Sequence, residues 1–291
     1  MWREGQLVSE RVRTVALTAP GGAQWLRALP EQVAELETRW RLTLGKPMQH
    51  DGYTAVVLPA GTADGARAVL KLSVPHLEGR DEAAGLRYWD GDPTVRLLRS
   101  WQGGGAMLLE RCEPGHSLHV LPPEERDDVL GRLVPRLWRR PMGGEFRPLA
   151  EQLTYWAGET AEDEARWPDP VLVREGLAAW EELARPGRDD VLLGTDVHAG
   201  NVLASEHQPW LIIDPKPFVG DPAYDATQHL LDSLERLEAD PLGLVARYAG
   251  LLALPVERVR AWTFARAAAE RRDTDEEWVR FNALARRLAP A

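Results

Sequence analysis

The spacing of apolar residues predicts a strand-rich first part of the chain and a mostly helical second part. Five apolar residues at intervals of three or four positions predict a helix over residues 24–40. Apolar runs at 54–58 and 68–72 are joined by the Gly- and Asp-containing segment 61–65, which predicts a β-hairpin. The same pattern predicts a short helix at about 80–90 and strands at 95–98 and 106–109.

Helical spacing dominates after Glu113-Pro114-Gly115, which interrupts the pattern. Helices are predicted near residues 123–139, 147–165, 170–184, 223–239, 242–252 and 255–270, with one strand-rich interruption at 191–214. A β-rich lobe followed by a helical lobe is an α+β, two-lobed arrangement. We therefore expect an N-terminal lobe over residues 1–113 and a C-terminal lobe over residues 114–291.

Charge is distributed unevenly between these two lobes. The 291-residue chain has a net charge of −10; residues 1–113 hold 14 basic and 14 acidic side chains, and the remainder holds 21 and 31. This balance argues against a nucleic-acid or anionic-membrane partner. An acidic second lobe would attract a cationic small molecule, although a solvated acidic surface would give the same charge.

The sequence also bears on cellular location. No apolar run reaches the length of about 18 residues that a membrane-spanning helix needs, and the N-terminus lacks the pattern of a signal peptide. Cys112 is the only cysteine, so an intrachain disulfide is excluded. These features favour the cytoplasm, while the sequence leaves the oligomeric state open.

The strand-rich interruption contains the densest group of polar residues that could take part in catalysis. Asp196 and Asn201 are five positions apart, which is the spacing of the kinase catalytic loop. Asp214 follows 13 residues later, after two apolar segments that flank the turn 205–209. A hairpin there would return the Asp214 carboxylate to the side of Asn201.

Phosphoryl transfer accounts for these residue types. A carboxylate can orient an acceptor hydroxyl and take its proton, which fits Asp196. Magnesium prefers hard oxygen ligands, such as the amide oxygen of Asn201 and the carboxylate of Asp214. Asp and Asn also cap helices and shape turns, and the pair at this spacing would not by itself exclude that role.

Two segments resemble a known family. Residues 193–201 (LGTDVHAGN) resemble the H-G-D-x-H-x-G-N loop of aminoglycoside phosphotransferases. Residues 214–225 (DPKPFVGDPAYD) resemble the I-D-P-K-x-x-x-G-D-P-x-Y-D run of the aminoglycoside/hydroxyurea phosphotransferase branch. This resemblance implies a protein-kinase-like fold that uses ATP and Mg²⁺. It also implies that His198 and Asp225 support the loop, and it leaves one departure, Gly194-Thr195 in place of His-Gly.

The resemblance extends to the nucleotide site of the first lobe. Lys71 matches the kinase lysine that contacts the α- and β-phosphates, and Glu82 is its expected partner, with Asp81 and Glu78 as weaker alternatives. Residues that would complete the cofactor site are Gly52 in a phosphate-covering loop, and Glu110 and Cys112 in the connector whose backbone would hold adenine.

The expected reaction is phosphorylation of a hydroxyl on an aminoglycoside-type antibiotic, with a streptomycin-like molecule first. Hydroxyurea or another small metabolite is the alternative acceptor, and a catalytically silent kinase-like binding protein is the alternative of another class. The resemblance implies that carboxylates on late helices bind ammonium groups of the acceptor. The candidates for a polycationic acceptor are Asp232, Glu235, Glu270 and Asp273.

Overall fold

The computed structural model describes residues 2–48, 54–101, 105–141 and 143–290. The chain divides into two compact units. The first unit comprises Met1–His116 and Leu203–Ile213, and the second comprises Ser117–Val202 and Asp214–Ala291. The segment Leu203–Ile213, which was predicted to belong to the helical lobe, thus packs with the first unit. The predicted assignment of nucleotide and acceptor binding to residues 1–113 and 114–291 stays a prediction.

The first unit combines a five-stranded antiparallel sheet with helices, as expected for a β-rich lobe. Its elements are α1 (Glu4–Leu7), α2 (Glu10–Thr18), α3 (Gly22–Trp40), β1 (Thr43–Leu44), β2 (Ala55–Gly61), β3 (Arg67–Ser73), α4 (Glu82–Trp89), β4 (Leu97–Trp101) and β5 (Ala106–Glu110). The strand order is β1-β2-β3-β5-β4. A 3₁₀ turn at Glu78–Asp81 precedes α4.

Side chains on α3 and on one face of the sheet form the core of the first unit. Leu29 and Val33 of α3 are fully buried in the same apolar cluster as Leu58 of β2 and Leu70 of β3. Because side chains alternate along a strand, Lys71 lies on the opposite face of β3 from Leu70. Register therefore decides which side of the sheet receives this lysine.

The second unit is mostly helical and contains one short strand pair. Its helices are α5 (Pro123–Leu137), α6 (Leu149–Glu162), α7 (Pro170–Leu183), α8 (Asp225–Asp232), α9 (Leu234–Ala239), α10 (Pro241–Leu251), α11 (Val256–Ala269) and α12 (Asp275–Leu288). Strand β6 (Val191–Leu193) pairs antiparallel with β9 (Phe218–Gly220). Strands β7 (Val202–Ala204) and β8 (Trp210–Ile212) form the hairpin predicted between Asn201 and Asp214, and all of this hairpin except Val202 belongs to the first unit. The α+β prediction is confirmed.

Local features explain where the elements differ from the sequence pattern. The helix predicted over 223–239 ends at Asp232, because Ser233 leaves the helical conformation at φ −91° and ψ 39° before α9 begins. The helices α1, α2 and α12 were not predicted. A capping box between Thr274 and Glu277 marks the start of α12 and was a readable signal. Within the described ranges, none of the helices combines the length and apolar character that crossing a bilayer requires.

Candidate active site

Lys71 and Glu82 form a buried ion pair in the first unit. The Lys71 ammonium donates to both carboxylate oxygens of Glu82, at 2.7 and 2.8 Å. Only 6% of Lys71 and 1% of Glu82 is exposed. Strand β3 presents the lysine, and the first turn of α4 presents the glutamate. A buried charge of this kind needs a partner with good geometry, which the bidentate contact supplies.

The other predicted cofactor residues lie at the end of β5 or outside the described residues. Glu110 is the last residue of β5; its carboxylate accepts from the Arg96 amide at 2.7 Å and lies 3.0 Å from His207 Nδ1. Burial raises the pKa of the Cys112 thiol to about 12, so the thiol stays protonated at neutral pH. Gly52 falls in the segment 49–53, outside the described residues.

The predicted catalytic loop follows β6 in the second unit, and an asparagine holds the loop's aspartate. The Asn201 side-chain amide donates to the Asp196 carbonyl at 2.9 Å and to the Asp196 carboxylate at 3.2 Å. Thr195 has φ 49°, a left-handed conformation that is costly for a β-branched residue. Such backbone strain is typical of functional loops that the surrounding structure fixes.

Asp225, at the start of α8, accepts hydrogen bonds from the backbone of this loop. The amides of Gly194 and Thr195 donate to its two carboxylate oxygens at 3.1 and 2.8 Å, and the Trp138 indole donates at 2.9 Å. Asp225 is fully buried. Burial raises the pKa of Asp225 to about 6, and these three hydrogen bonds act against that rise.

The departure at Gly194-Thr195 has a physical account. A side chain at position 194 would meet Val197 and Leu137, since a Cβ there would lie 2.6 and 2.9 Å from their methyl groups. Thr195 occupies the position that is glycine in the family loop, and its hydroxyl donates to the Lys216 carbonyl at 2.7 Å. Val197 and Leu137 thus occupy the space that a side chain at position 194 would need, and the Thr195 hydroxyl adds a hydrogen bond.

Asp214 lies after the β7–β8 hairpin and is paired with a lysine two positions later. Lys216 is 5% exposed, and its ammonium forms an ion pair with the Asp214 carboxylate. The Lys216 amide donates to the Gly194 carbonyl at 2.8 Å, which ties this segment to the catalytic loop. Like Thr195, Asp214 has a left-handed backbone, with φ 53°.

The electrostatic environment of Asp196 favours proton uptake. Burial raises the pKa of this carboxyl, and the positive charge of Lys216 only partly offsets that rise. A more basic carboxylate accepts a hydroxyl proton more readily. The residue types also fit magnesium: the Asn201 amide nitrogen is engaged with Asp196, so the Asn201 amide oxygen and the Asp214 carboxylate are the hard oxygen atoms that would hold the ion.

His198 links the loop to one predicted substrate residue. Its Nε2 atom lies 3.9 Å from an Asp196 carboxylate oxygen, and its Nδ1 atom lies 3.6 Å from an Asp232 carboxylate oxygen. The Gly200 amide also donates to Nδ1, at 3.3 Å. Asp232 is therefore close to the predicted catalytic residue, whereas Glu235 lies on α9 and is exposed.

The remaining two substrate candidates have different surroundings. The Arg266 guanidinium donates two hydrogen bonds of 3.0 Å to Glu270. Burial opposes ionisation of Glu270, but Arg266 and Arg272 outweigh it and hold the pKa of Glu270 below its usual value. Asp273 is exposed, and its carbonyl accepts from Arg166 at 2.9 Å. A cationic acceptor at Glu270 would have to compete with Arg266.

Sequence reasoning missed three residues around the loop. They are Lys216, Trp138 and Arg266. Arg266 interrupts the otherwise apolar Phe264–Ala269 run, and Lys216 follows Asp214 by two positions; both were readable signals. Trp138 carried no such signal, because its contact with Asp225 joins residues 87 positions apart.

Comparison with known proteins identifies relatives over most of the chain. The family described as aminoglycoside/hydroxyurea antibiotic resistance kinase matches residues 39–276. A hydroxyurea phosphotransferase of Kitasatospora aureofaciens is 41% identical over 258 residues, which cover 84% of this chain and 73% of that protein. A streptomycin 6-kinase of Streptomyces griseus is 38% identical over 257 residues, covering 84% and 82% of the two chains.

A solved structure supports the fold independently. The choline kinase LicA from Streptococcus pneumoniae superposes with a TM-score of 0.60 at 14% identity, covering 89% of this chain and 98% of that one. At that identity the likeness shows the protein-kinase-like fold alone. The family match spans most of the chain and includes both segments that carry the resemblance, so this chain belongs to the aminoglycoside/hydroxyurea antibiotic resistance kinase family.

Proposed function

We propose that this chain transfers the γ-phosphoryl group of ATP to a hydroxyl of a cationic, aminoglycoside-type antibiotic, with a streptomycin-like molecule as the first candidate. The observation that carries the proposal is the geometry of the catalytic loop. Asp196 is held by Asn201, its pKa is raised by burial, and Asp214 is tied to the same loop through Lys216. The similarity to a streptomycin 6-kinase supports the choice of acceptor.

In the proposed reaction, Asp196 positions the acceptor. Its carboxylate accepts a hydrogen bond from the acceptor hydroxyl and takes the proton as the new P–O bond forms and the bond to the β-phosphate oxygen breaks. The proton then passes to solvent. Mg²⁺, when bound by Asn201 and Asp214, supplies charge neutralisation on the triphosphate. The hydrogen bonds from Gly194 and Thr195 to Asp225 keep the loop in place.

Lys71 and Glu82 are proposed to position the triphosphate. The lysine would contact the α- and β-phosphates, while the buried glutamate orients the ammonium. If they act as a unit, Lys71→Ala and Glu82→Ala each impair turnover, and the double variant is little worse than Lys71→Ala alone. Additive losses would show that the two residues act separately.

A direct assay tests the proposed reaction. ADP release is measured with ATP, Mg²⁺ and a panel that includes streptomycin, hydroxyurea and an uncharged hydroxylated compound, and mass spectrometry identifies any phosphorylated product. Wild type is expected to turn over streptomycin, and the isosteric Asp196→Asn variant to lose at least about 100-fold in kcat with little change in nucleotide affinity. Activity of Asp196→Asn within threefold of wild type would reject the role of Asp196.

Hydroxyurea is the second candidate acceptor, because the 41% identical relative is a hydroxyurea phosphotransferase. The two candidates differ in charge. A cationic acceptor should lose kcat/KM as ionic strength rises, since the excess negative charge lies in residues 114–291, whereas neutral hydroxyurea should be insensitive. Turnover of hydroxyurea with none of streptomycin would replace the first candidate with the second.

A further inference from the structure

Two histidines and an aspartate meet beside the catalytic loop in the second unit. They are His119, His198 and Asp232, and each offers one ligand atom within 4.8 Å of the other two. His119 lies in the 3₁₀ turn Leu118–Val120, and Asp232 is the last residue of α8. The proposed phosphoryl transfer uses neither the His119 side chain nor the Nδ1 atom of His198.

The backbone of Gly200 lies close to both imidazoles. A methyl group built at Gly200 would lie 2.8 Å from His198 Cε1, 3.1 Å from His198 Nδ1 and 3.5 Å from His119 Nε2. One nitrogen of each ring therefore faces this glycine at a distance that leaves no room for a side chain. In the structure, the Gly200 amide donates a long hydrogen bond of 3.3 Å to His198 Nδ1, which a stronger ligand bond could replace.

The distances suit a small tetrahedral ion after minor side-chain rotation. Zinc–nitrogen bonds of about 2.0–2.1 Å place neighbouring ligand atoms about 3.3 Å apart. His198 Nδ1 and the nearest Asp232 oxygen are already 3.6 Å apart. Two imidazoles and one carboxylate form a donor set that suits Zn²⁺ and related transition metals, whereas Mg²⁺ prefers oxygen ligands alone.

The surroundings of His198 also match those of a metal-bound histidine. Metal-binding imidazoles usually direct their second nitrogen towards a carboxylate or carbonyl oxygen. With Nδ1 on the metal, the Nε2–H group of His198 would face the Asp196 carboxylate, which lies 3.9 Å away. Binding at this cluster would thereby fix the imidazole next to the proposed catalytic carboxylate.

We propose that His119, His198 and Asp232 form a binding site for a divalent transition metal ion, with Zn²⁺ as the best-fitting ion. The fourth coordination position is open to water. A bound ion would restrain His198 beside Asp196 and engage the Asp232 carboxylate as a ligand. Zn²⁺ would consequently inhibit the kinase reaction, a consequence that rests on the proposed function, whereas metal binding itself does not.

Metal affinity is measured first, on the full chain without a polyhistidine tag. Zn²⁺ is titrated in competition with a chromogenic chelator, and Co²⁺ is added separately to record the visible absorption of a tetrahedral site. Wild type is expected to bind one ion. His119→Ala should weaken Zn²⁺ binding at least tenfold and abolish the Co²⁺ band, while the exposed His116, changed to Ala, serves as the matched control and should bind as wild type does.

A second variant tests the position of the His198 ring. In Gly200→Ala the added methyl would lie 2.8 Å from His198 Cε1, so the ring must move away from the cluster, and Zn²⁺ affinity should again fall at least tenfold while circular dichroism remains that of wild type. Equal Zn²⁺ affinity of wild type, His119→Ala and Gly200→Ala would overturn the site. So would wild-type binding too weak to compete with the chelator, which would leave a pair of histidines beside a carboxylate and no metal site.

Kinase activity is then measured with excess Mg²⁺ and increasing Zn²⁺. His119→Ala should keep its kcat without Zn²⁺ within about twofold of wild type and require at least tenfold more Zn²⁺ for half-inhibition. Loss of activity on every acceptor, with Zn²⁺ binding intact, would reject the proposed function and keep the metal site. Equal Zn²⁺ sensitivity of wild type and His119→Ala would reject the inhibitory role.

Discussion

Two fully buried aspartates of the second unit, Asp127 and Asp225, differ in the groups that compensate for burial of the carboxylate. Both are 0% exposed. Asp127, on α5, is surrounded by cationic and imidazole groups: Arg236 donates to both oxygens at 2.9 and 2.8 Å, Arg247 donates at 3.1 Å, and His229 lies at 2.8 Å. Asp225 receives its three hydrogen bonds from neutral donors.

The difference in partners gives opposite pKa shifts. Burial alone would raise the pKa of both carboxyls. At Asp127, Arg236, His229 and Arg247 outweigh burial and hold the pKa well below its usual value. At Asp225, the neutral N–H donors offset only part of the effect of burial, and the pKa rises to about 6. The ionised form of Asp127 is thus favoured by its surroundings and joins helices, whereas the ionised form of Asp225 is disfavoured by burial and positions a loop.

The largest expected effect is a loss of stability on removing Asp127. Asp127→Ala leaves Arg236 and Arg247 without their buried partner, so the free energy of unfolding should fall by about 3–5 kcal/mol. Its kcat should stay within about threefold of wild type. Chemical denaturation and initial rates are the measurements, and Asp128→Ala, which removes a half-exposed neighbour, should cost less than about 1 kcal/mol. A loss of 1 kcal/mol or less in Asp127→Ala would show that the two arginines do not depend on Asp127 as their partner.

Removing Asp225 should affect turnover more than any other readout. Asp225→Ala deprives the Gly194 and Thr195 amides of their acceptor, and the resulting shift of the loop should lower kcat about 100-fold. The KM for nucleotide should change less. The comparison between the two aspartates fails if Asp127→Ala, assayed under conditions where it is folded, loses as much kcat as Asp225→Ala.

The two aspartates should also contribute to stability with opposite pH dependence. A carboxyl with a raised folded-state pKa binds its proton more tightly in the folded chain, so the contribution of Asp225 becomes more favourable as pH falls from about 6 towards 4. Asp127, with a lowered pKa, contributes stability above pH 4 that is lost on further acidification. Relative to Asp225→Asn, wild type should gain about 2 kcal/mol between pH 7 and pH 4.5.

Denaturation of wild type and Asp225→Asn at these two pH values tests the shift. Subtracting the variant removes the pH dependence that the two proteins share, including that of Asp127. A wild-type advantage that shrinks on acidification would show that the Asp225 carboxyl titrates below its usual pKa.

The smallest expected effect comes from a single neutral donor. Trp138→Phe keeps an aromatic ring and removes the indole N–H that donates to Asp225 at 2.9 Å. Two amide donors remain, so stability should fall by about 1 kcal/mol and kcat by a few-fold. The indole hydrogen bond lowers the pKa of Asp225, so its removal should raise that pKa and move the pH range over which Asp225 affects stability to higher pH. An unchanged kcat and an unchanged pH dependence of stability would show that the amides alone position the carboxylate.

Sequence reasoning worked best where the signal was local. The helix over residues 24–40 and the hairpins follow directly from apolar spacing and turn residues, and the structure places them at Gly22–Trp40, Ala55–Ser73 and Val202–Ile212. The D-x-x-x-x-N spacing and the run 214–225 were sufficient for the family, which the comparisons confirm. The break at Ser233 was missed because apolar spacing continues across it.

The chain's own sequence determined the fold class, the family and the chemical character of the catalytic loop, because periodicity and short spacings are properties of neighbouring residues. Tertiary structure alone decided which groups meet across long separations. It brought Trp138 to Asp225, placed Arg236 on Asp127, and set His119 near His198. It also gave the two buried aspartates opposite pKa shifts. The pKa of a carboxyl depends on its burial and on the charges around it, and tertiary packing sets both.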